Sequence, residues 1–212
     1  FMLLDMKSPG VSVKPIITLD GSHYINMVYL EDVFIPHKNL IYEENKGWTV
    51  AKYLLGHERT NNAQVASSKK ALSKIRKIAK LKINGTYSLS EDKRFIDKLA
   101  NCDLRVQALE YDLIKVISNE IKGISPGVEA NMLKIRGSEI QQEITELVLE
   151  ASGYYANSIQ NNIIEIGMNE PKVGPSWTST SAQKYFDMRK TTIYAGSTEI
   201  QKNILAKMVL EL

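Results

Sequence analysis

The chain has 212 residues, of which 43% are apolar and 24% charged, an ordinary globular composition. Its net charge of +3 is too small to argue for nucleic acid or a membrane surface, and no apolar run approaches the roughly 20 residues that a spanning helix needs. A single cysteine, Cys102, excludes an internal disulfide framework and a multi-cysteine metal site, and in its helical surroundings it reads as a small buried hydrophobe. There is no charged-then-apolar leader of signal type, so nothing argues for export and a cytoplasmic setting is expected.

Residues 1–44 read as strands. Phe1-Met2-Leu3-Leu4 opens inside an extended pattern with no lead-in, which suggests a fragment whose upstream part is missing. Val11, Val13 and Ile16-Ile17 follow a Pro9-Gly10 turn, and Asp20-Gly21 reads as a tight turn before the apolar-rich stretch Tyr24–Leu30. Val33-Phe34-Ile35-Pro36 is a further extended piece that proline ends.

After Gly47 the apolar period changes from two to three and four. Trp48, Ala51, Leu54-Leu55, Val65, Leu72, Ile75 and Ile78 read as one long helix over 47–82, stopped by Asn84-Gly85. A second helix is expected over 91–122, capped by Ser90 with Glu91-Asp92, and a third over 127–152, ending at Ser152-Gly153. Pro171, Gly174 and Pro175 mark a loop, followed by helices over 178–188 and 198–210. The fold class is mainly α: an antiparallel helix bundle over 45–212, preceded by a β fragment over 1–44.

Two segments carry candidate chemistry. Gly56-His57-Glu58-Arg59-Thr60-Asn61-Asn62 puts a carboxylate, an imidazole and a guanidinium inside an otherwise core-directed helix, where polar groups are costly unless paired or used. An internal ion pair and a catalytic role are both open on spacing alone. His57 has no ligand partner at metal spacing, so no metal is expected. The second segment, Tyr194-Ala195-Gly196-Ser197-Thr198-Glu199, is a hinged step into a helix whose N-terminal N–H groups and positive dipole end can receive an anion. The basic run Lys69-Lys70, Lys74, Arg76-Lys77 reads as a solvated helix face, and Trp48 and Trp177 as packing residues. No phosphate-loop, dinucleotide or nucleophile-elbow motif is present.

Leu54-Leu55-Gly56-His57-Glu58-Arg59-Thr60 and Ile193-Tyr194-Ala195-Gly196-Ser197-Thr198-Glu199-Ile200-Gln201 together resemble the acyl-CoA dehydrogenase family. Val33–Pro36, Gly47-Trp48 and Lys184-Tyr185-Phe186 agree with that family's domain link, bundle start and approach to the tail. Within it, the chain is similar to the branch of the pimeloyl-CoA dehydrogenase large subunit. The resemblance implies a middle β domain joined to a C-terminal helical domain, with FAD as cofactor. It implies oxidation of the Cα–Cβ bond of an acyl-CoA to the trans-2-enoyl-CoA, with electrons passed to an electron-transfer flavoprotein-like acceptor. It also implies a homo- or hetero-oligomer built through the bundle.

Many family members carry the catalytic Glu directly after the tail Tyr; here that position is Ala195, which cannot take a proton. Some branches place the base on the first helix of the C-terminal domain, just before an Arg, and Glu58 matches that place. The resemblance therefore makes Glu58 the base, with Ala195 contributing only its backbone N–H. Arg59 and Tyr194 are the substrate-side candidates, and Gly196, Ser197 and Glu199 the FAD-side ones. A Gln usually stands where Glu199 is, and the family's glycine-rich end of the third helix is reduced to Ala151-Ser152-Gly153. A non-catalytic subunit, or a helical assembly domain, is the alternative reading.

Overall fold

The computed structural model describes residues 1–57, 61–82, 87–124, 127–158, 160 and 171–212, with the side chains of Gly56 and His57 outside that description. It divides into two compact units, Phe1–Arg59 and Thr60–Leu212.

In the first unit, β1 (Val11–Ile17) pairs antiparallel with β2 (His23–Leu30), Val13 facing Val28 and Ile16 facing Ile25. The expected Asp20-Gly21 turn is present: Thr18 N–H donates to Ser22 O at 2.9 Å and Gly21 N–H to Thr18 O at 2.9 Å. Val33–Pro36 makes no ladder, but a bridge joins Met2 to Leu40. Apolar side chains stay exposed on both faces of the hairpin, among them Val13, Ile25, Met27 and Val28. A lone two-stranded ribbon is marginal in water and gains its stability from what covers it. The unit ends with α1 (Gly47–His57). Trp48, expected to pack, is 69% exposed there.

The second unit is a helix bundle: α2 (Val65–Ala79), α3 (Lys93–Ile121), α4 (Glu129–Ser152), α5 (Ser181–Met188) and α6 (Thr198–Val209). Burial follows the alternating three- and four-residue steps of helices that interlock at shallow angles. In α3 the buried positions are Phe95, Leu99, Cys102, Val106, Leu109 and Val116; in α4, Leu133, Ile140, Ile144, Leu147 and Ala151 continue the pattern. Leu72, Ile75 and Ile78 of α2 complete the core, with Trp177 packed against it. The basic face of α2 is solvated as expected, and is pinned by ion pairs from Lys69 to Glu110 and Arg76 to Asp103 on α3. Each exposed pair of this kind is worth no more than about 1 kcal/mol.

Two expectations need correcting. The single helix read over 47–82 is two: α1 ends at His57 and α2 begins at Val65, with a 3-10 turn at Asn61–Ala63 and Gln64 left-handed at φ 50°. Asn side chains compete for backbone groups and favour turns over helix interiors. Here the Gln64 amide also donates to Asn61 O at 2.9 Å, closing the turn. The helix stop assigned to Asn84-Gly85 lies outside the described residues, and α2 already ends at Ala79. The cap of α3 is Asp92, not Ser90: its carboxylate accepts from the N–H of Arg94 at 2.9 Å and of Phe95 at 3.4 Å.

Cys102 is fully buried, and burial, reinforced by the nearby Glu143 charge, pushes its thiol up from 9.0 to about 12. Two consequences follow from that shift. At pH 8 the native protein should resist a thiol reagent until the bundle opens, while the urea-unfolded chain reacts at once. Between pH 9.0 and about 12 the unfolded chain loses this proton and the native one keeps it, so stability falls as pH rises through that window. Cys102→Ala should flatten that fall, which denaturant titrations at pH 8 and pH 10 would measure.

Candidate functional site at the tail turn

α4 is the platform on which the tail is held. Thr191 is buried; its hydroxyl donates to Met188 O at 2.8 Å, and its carbonyl accepts from Lys134 Nζ at 3.0 Å. Gln142 Nε2 donates to the carbonyls of Met188 and Arg189, both at 3.2 Å. Arg189 returns a hydrogen bond to Gln142 O at 3.1 Å and stacks over the Tyr185 ring at 4.1 Å. Asn131 donates to Gln201 Oε1, and Gln201 in turn donates to the carbonyls of Ala195 and Gly196 at 3.3 and 3.4 Å. The segment from Met188 to Gln201 is thus tied to one helix face by side chains that satisfy its backbone.

Between these ties the chain makes two successive left-handed steps, Ala195 at φ 54° and Gly196 at φ 80°. A left-handed Ala stores about 1–2 kcal/mol of backbone strain, and at Gly196 a Cβ would run into the Gln201 amide. The N–H groups of Ala195, Gly196 and Ser197 have no partner among the described residues. Ser197 then caps α6, its hydroxyl accepting from Ile200 N–H at 3.4 Å. The result is a concave run of free donors leading into a helix N-terminus, which suits an anionic or carbonyl oxygen.

A cleft of 270 Å³ lies beside this turn, lined by Tyr194, Thr191, Lys134, Ser138 and Gln64 among others. Lys134 is 4% exposed, and burial pulls its ammonium below the ordinary value of 10.5, with Glu199 pulling the other way. The Glu199 carboxylate is fully exposed and held below its ordinary range, first by the Ser197 hydroxyl and then by its own backbone N–H. A second cleft, of 410 Å³, sits at the end of α4, where Ala151, Ser152 and Gly153 face Leu81, Tyr87 and Leu89.

Residues 45–210 match the model of the C-terminal domain of acyl-CoA dehydrogenases. The chain belongs to the acyl-CoA dehydrogenase family. The acyl-CoA dehydrogenase IpdE1 of Mycolicibacterium smegmatis is 25% identical over 215 residues, an alignment covering 100% of this chain and 48% of the relative. The CarC subunit of the caffeyl-CoA reductase–Etf complex of Acetobacterium woodii is 25% identical over 221 residues, covering 99% and 52%. Among solved structures, the ChsE4–ChsE5 complex of Mycobacterium tuberculosis superposes with a TM-score of 0.80 at 23% identity, covering 100% of this chain and 52% of that one. The chain spans about half the length of these relatives.

Acyl-CoA dehydrogenases are FAD flavoproteins that act on CH–CH bonds. The residues present at the tail turn fit such a cofactor in two respects. Unpaired N–H groups from Ala195 to Ser197 offer donors to its oxygens, and the buried cation of Lys134 lines the adjoining cleft. Glu199 is the member of the set that fits an anion least, since it brings a negative charge into the first turn of α6.

Of the candidates read from sequence, the structure brings Tyr194, Ala195, Gly196, Ser197 and Glu199 into one turn. Glu58 and Arg59 lie outside the described residues. Lys134 was missed. Its signal was a lone ammonium in the apolar run Met132-Leu133-Lys134-Ile135, next to a core position, where a charge needs a partner. Gln142 and Thr191, which hold the tail by backbone carbonyls, carry no signal in a single sequence.

Proposed function

We propose that the full-length protein is an FAD-dependent acyl-CoA dehydrogenase that converts an acyl-CoA thioester to the trans-2-enoyl-CoA. The observation that carries this reading is the tail turn. Its free N–H groups and the adjoining cleft stand in the domain that the family match identifies. In this reading Glu58 removes the α proton, and the Ala195 N–H donates to the thioester carbonyl, lowering the α-proton pKa as negative charge develops on that oxygen. Tyr194 and Arg59 bound the substrate, and Gly196 and Ser197 hold the cofactor. FAD supplies the acceptor for the β hydride. An electron-transfer flavoprotein-like protein would be the final acceptor, since a relative of similar coverage is part of an Etf complex.

Residues 1–44 belong, in this reading, to a middle β domain whose remaining strands cover the exposed faces of the hairpin, and residues 45–212 to the helical domain. The pimeloyl-CoA branch is retained on sequence resemblance alone. No helix among the described residues is long and apolar enough to cross a membrane, and we place the protein in the bacterial cytoplasm.

The test is direct. Full-length protein should copurify with flavin, and one or more members of an acyl-CoA panel should bleach its absorbance anaerobically. A flavin-free protein, or one that no acyl-CoA bleaches, would favour the second reading, a non-catalytic subunit. That alternative has its own support: Ala195 stands where many members carry the base, and the ChsE4–ChsE5 neighbour is a complex of two different chains.

Either reading implies assembly through the bundle. On α3, Leu104, Tyr111, Ile114 and Ile121 are 63%, 75%, 56% and 81% exposed. Their spacing places them in one stripe, and an apolar stripe of that kind marks an interaction face. Tyr111→Asp with Ile121→Lys should shift the full-length protein to a smaller species in light scattering. Buried aromatic anchors are typically worth about 2 kcal/mol or more at an interface.

A further inference from the structure

A cavity between α2, α4 and the approach to α5 borders the cleft beside the tail turn, with Gln64 and Gln141 lining both. It has a volume of 360 Å³ and is walled by Ala71, Ile144 and Val148. Two of its lining residues carry anomalous polar atoms. Ser68 Oγ and Trp177 Nε1 are buried and have no hydrogen-bond partner. Among the described residues three buried side-chain polar atoms are in that state, and two of the three belong to residues lining this one cavity. Ser68 itself is 3% exposed. An unmet donor in a protein interior costs about 1–3 kcal/mol, so two in one cavity call for an acceptor that both can reach.

The remaining lining says what kind of acceptor. Lys74 and Lys184 are exposed lining residues and make no ion pair among the described residues. Ala71, Ile144 and Val148 form the aliphatic part of a wall that also carries hydroxyl and amide side chains such as Thr145 and Gln141, and the volume falls in the range of small-ligand pockets, about 300–1,000 Å³. An indole N–H can only donate, and ammonium groups can only donate, so the fitted group is an acceptor carrying negative charge. We propose that this cavity is a binding site for a small aliphatic carboxylate, held by Ser68 and Trp177 at its carboxyl end and by Ala71, Ile144 and Val148 along its chain. The cavity shares Gln64 and Gln141 with the cleft beside the tail turn, but the site stands on Ser68 and Trp177, which that cleft does not include, and the proposal does not rest on the dehydrogenase reading.

Octanoate is the probe, titrated into the full-length protein by ligand-observed NMR and calorimetry, with and without a saturating acyl-CoA. One octanoate should bind per chain and remain bound when the acyl-CoA is added. Ser68→Ala and Trp177→Phe should each weaken it about tenfold or more, the usual loss for a hydrogen bond to a charged group. 1-Octanol, which keeps the chain and lacks the charge, should bind at least as much more weakly. Val148→Trp should fill the space and abolish binding, with an unchanged far-ultraviolet spectrum showing that the bundle still folds. No octanoate binding to the folded parent would mean that the cavity holds water alone, and would overturn the proposal. So would equal affinity in the Ser68 and Trp177 variants, or displacement of octanoate by acyl-CoA. None of these readouts uses flavin reduction, so an inactive enzyme that binds octanoate, and an active one that does not, are separate results.

Discussion

Glu58→Gln in the full-length protein should keep FAD and acyl-CoA binding and abolish flavin reduction. Removing a general base costs about 10²- to 10⁴-fold, so single-turnover bleaching should fall by that much while the flavin content stays at the parent's. The argument begins with what is missing at the tail. Ala195 has no ionisable group, and the carboxylate nearest the turn in sequence, Glu199, is fully exposed and held below its ordinary range. A base for an α proton needs the opposite environment, shielded from water and raised towards neutrality. Glu58, which precedes Arg59 at the place where the family resemblance puts the base, is the remaining candidate. A Gln variant that bleaches at the parent rate would remove Glu58 from the mechanism. Bleaching that disappears instead on Glu199→Gln would move the base to the tail.

The helical half of the molecule was legible because its burial is periodic. The α3 positions Phe95, Leu99, Cys102, Val106 and Leu109 are spaced four, three, four, three, and every one is buried. The same rhythm gave α4, and Gly153 stopped it where expected, at φ 52°. The break between α1 and α2 was not legible. Val65 and Leu72 continue the apolar spacing of Leu54 and Leu55 closely enough that periodicity alone runs the two helices together. The turn at Asn61–Ala63 is instead made by local hydrogen bonds that no period records. Trp48 shows a related limit, because a large apolar residue reads as core whether its partner surface lies in this chain or elsewhere. At the site, the Ala195-Gly196 hinge and the Ser197 cap were visible as residue types with a backbone meaning. Lys134, Gln142 and Thr191 hold the hinge in place over separations of about 50 residues in sequence, and tertiary contacts of that kind leave no local pattern.

Gly137→Ala carries the largest structural effect. In the middle of a helix this change is ordinarily stabilising by about 1 kcal/mol, because glycine loses more backbone freedom on folding. Here the sign should reverse. A Cβ on Gly137 would meet Asn62 O at 2.8 Å, Ala63 Cα at 2.9 Å and Ala63 O at 2.9 Å, all of them main-chain atoms of the 3-10 turn. A side-chain tip could rotate away; a hydrogen-bonded turn has to move as a unit. Overpacking of this kind costs about 1–3 kcal/mol, enough to outweigh the gain and lower the denaturation midpoint. Ala63→Gly should not rescue it, since the contacts are to Cα and O rather than to the methyl group. The consequence reaches the site as well, because Asn62 and Gln64 line the same cleft as Lys134 and Tyr194. Pushing the turn off α4 widens that cleft, which Thr191 and Tyr194 of the tail also line, so flavin content and acyl-CoA bleaching should both fall. A variant as stable as its parent would show that α4 and the turn are not in backbone contact. A destabilised variant that Ala63→Gly restores would place the clash on the side chain instead.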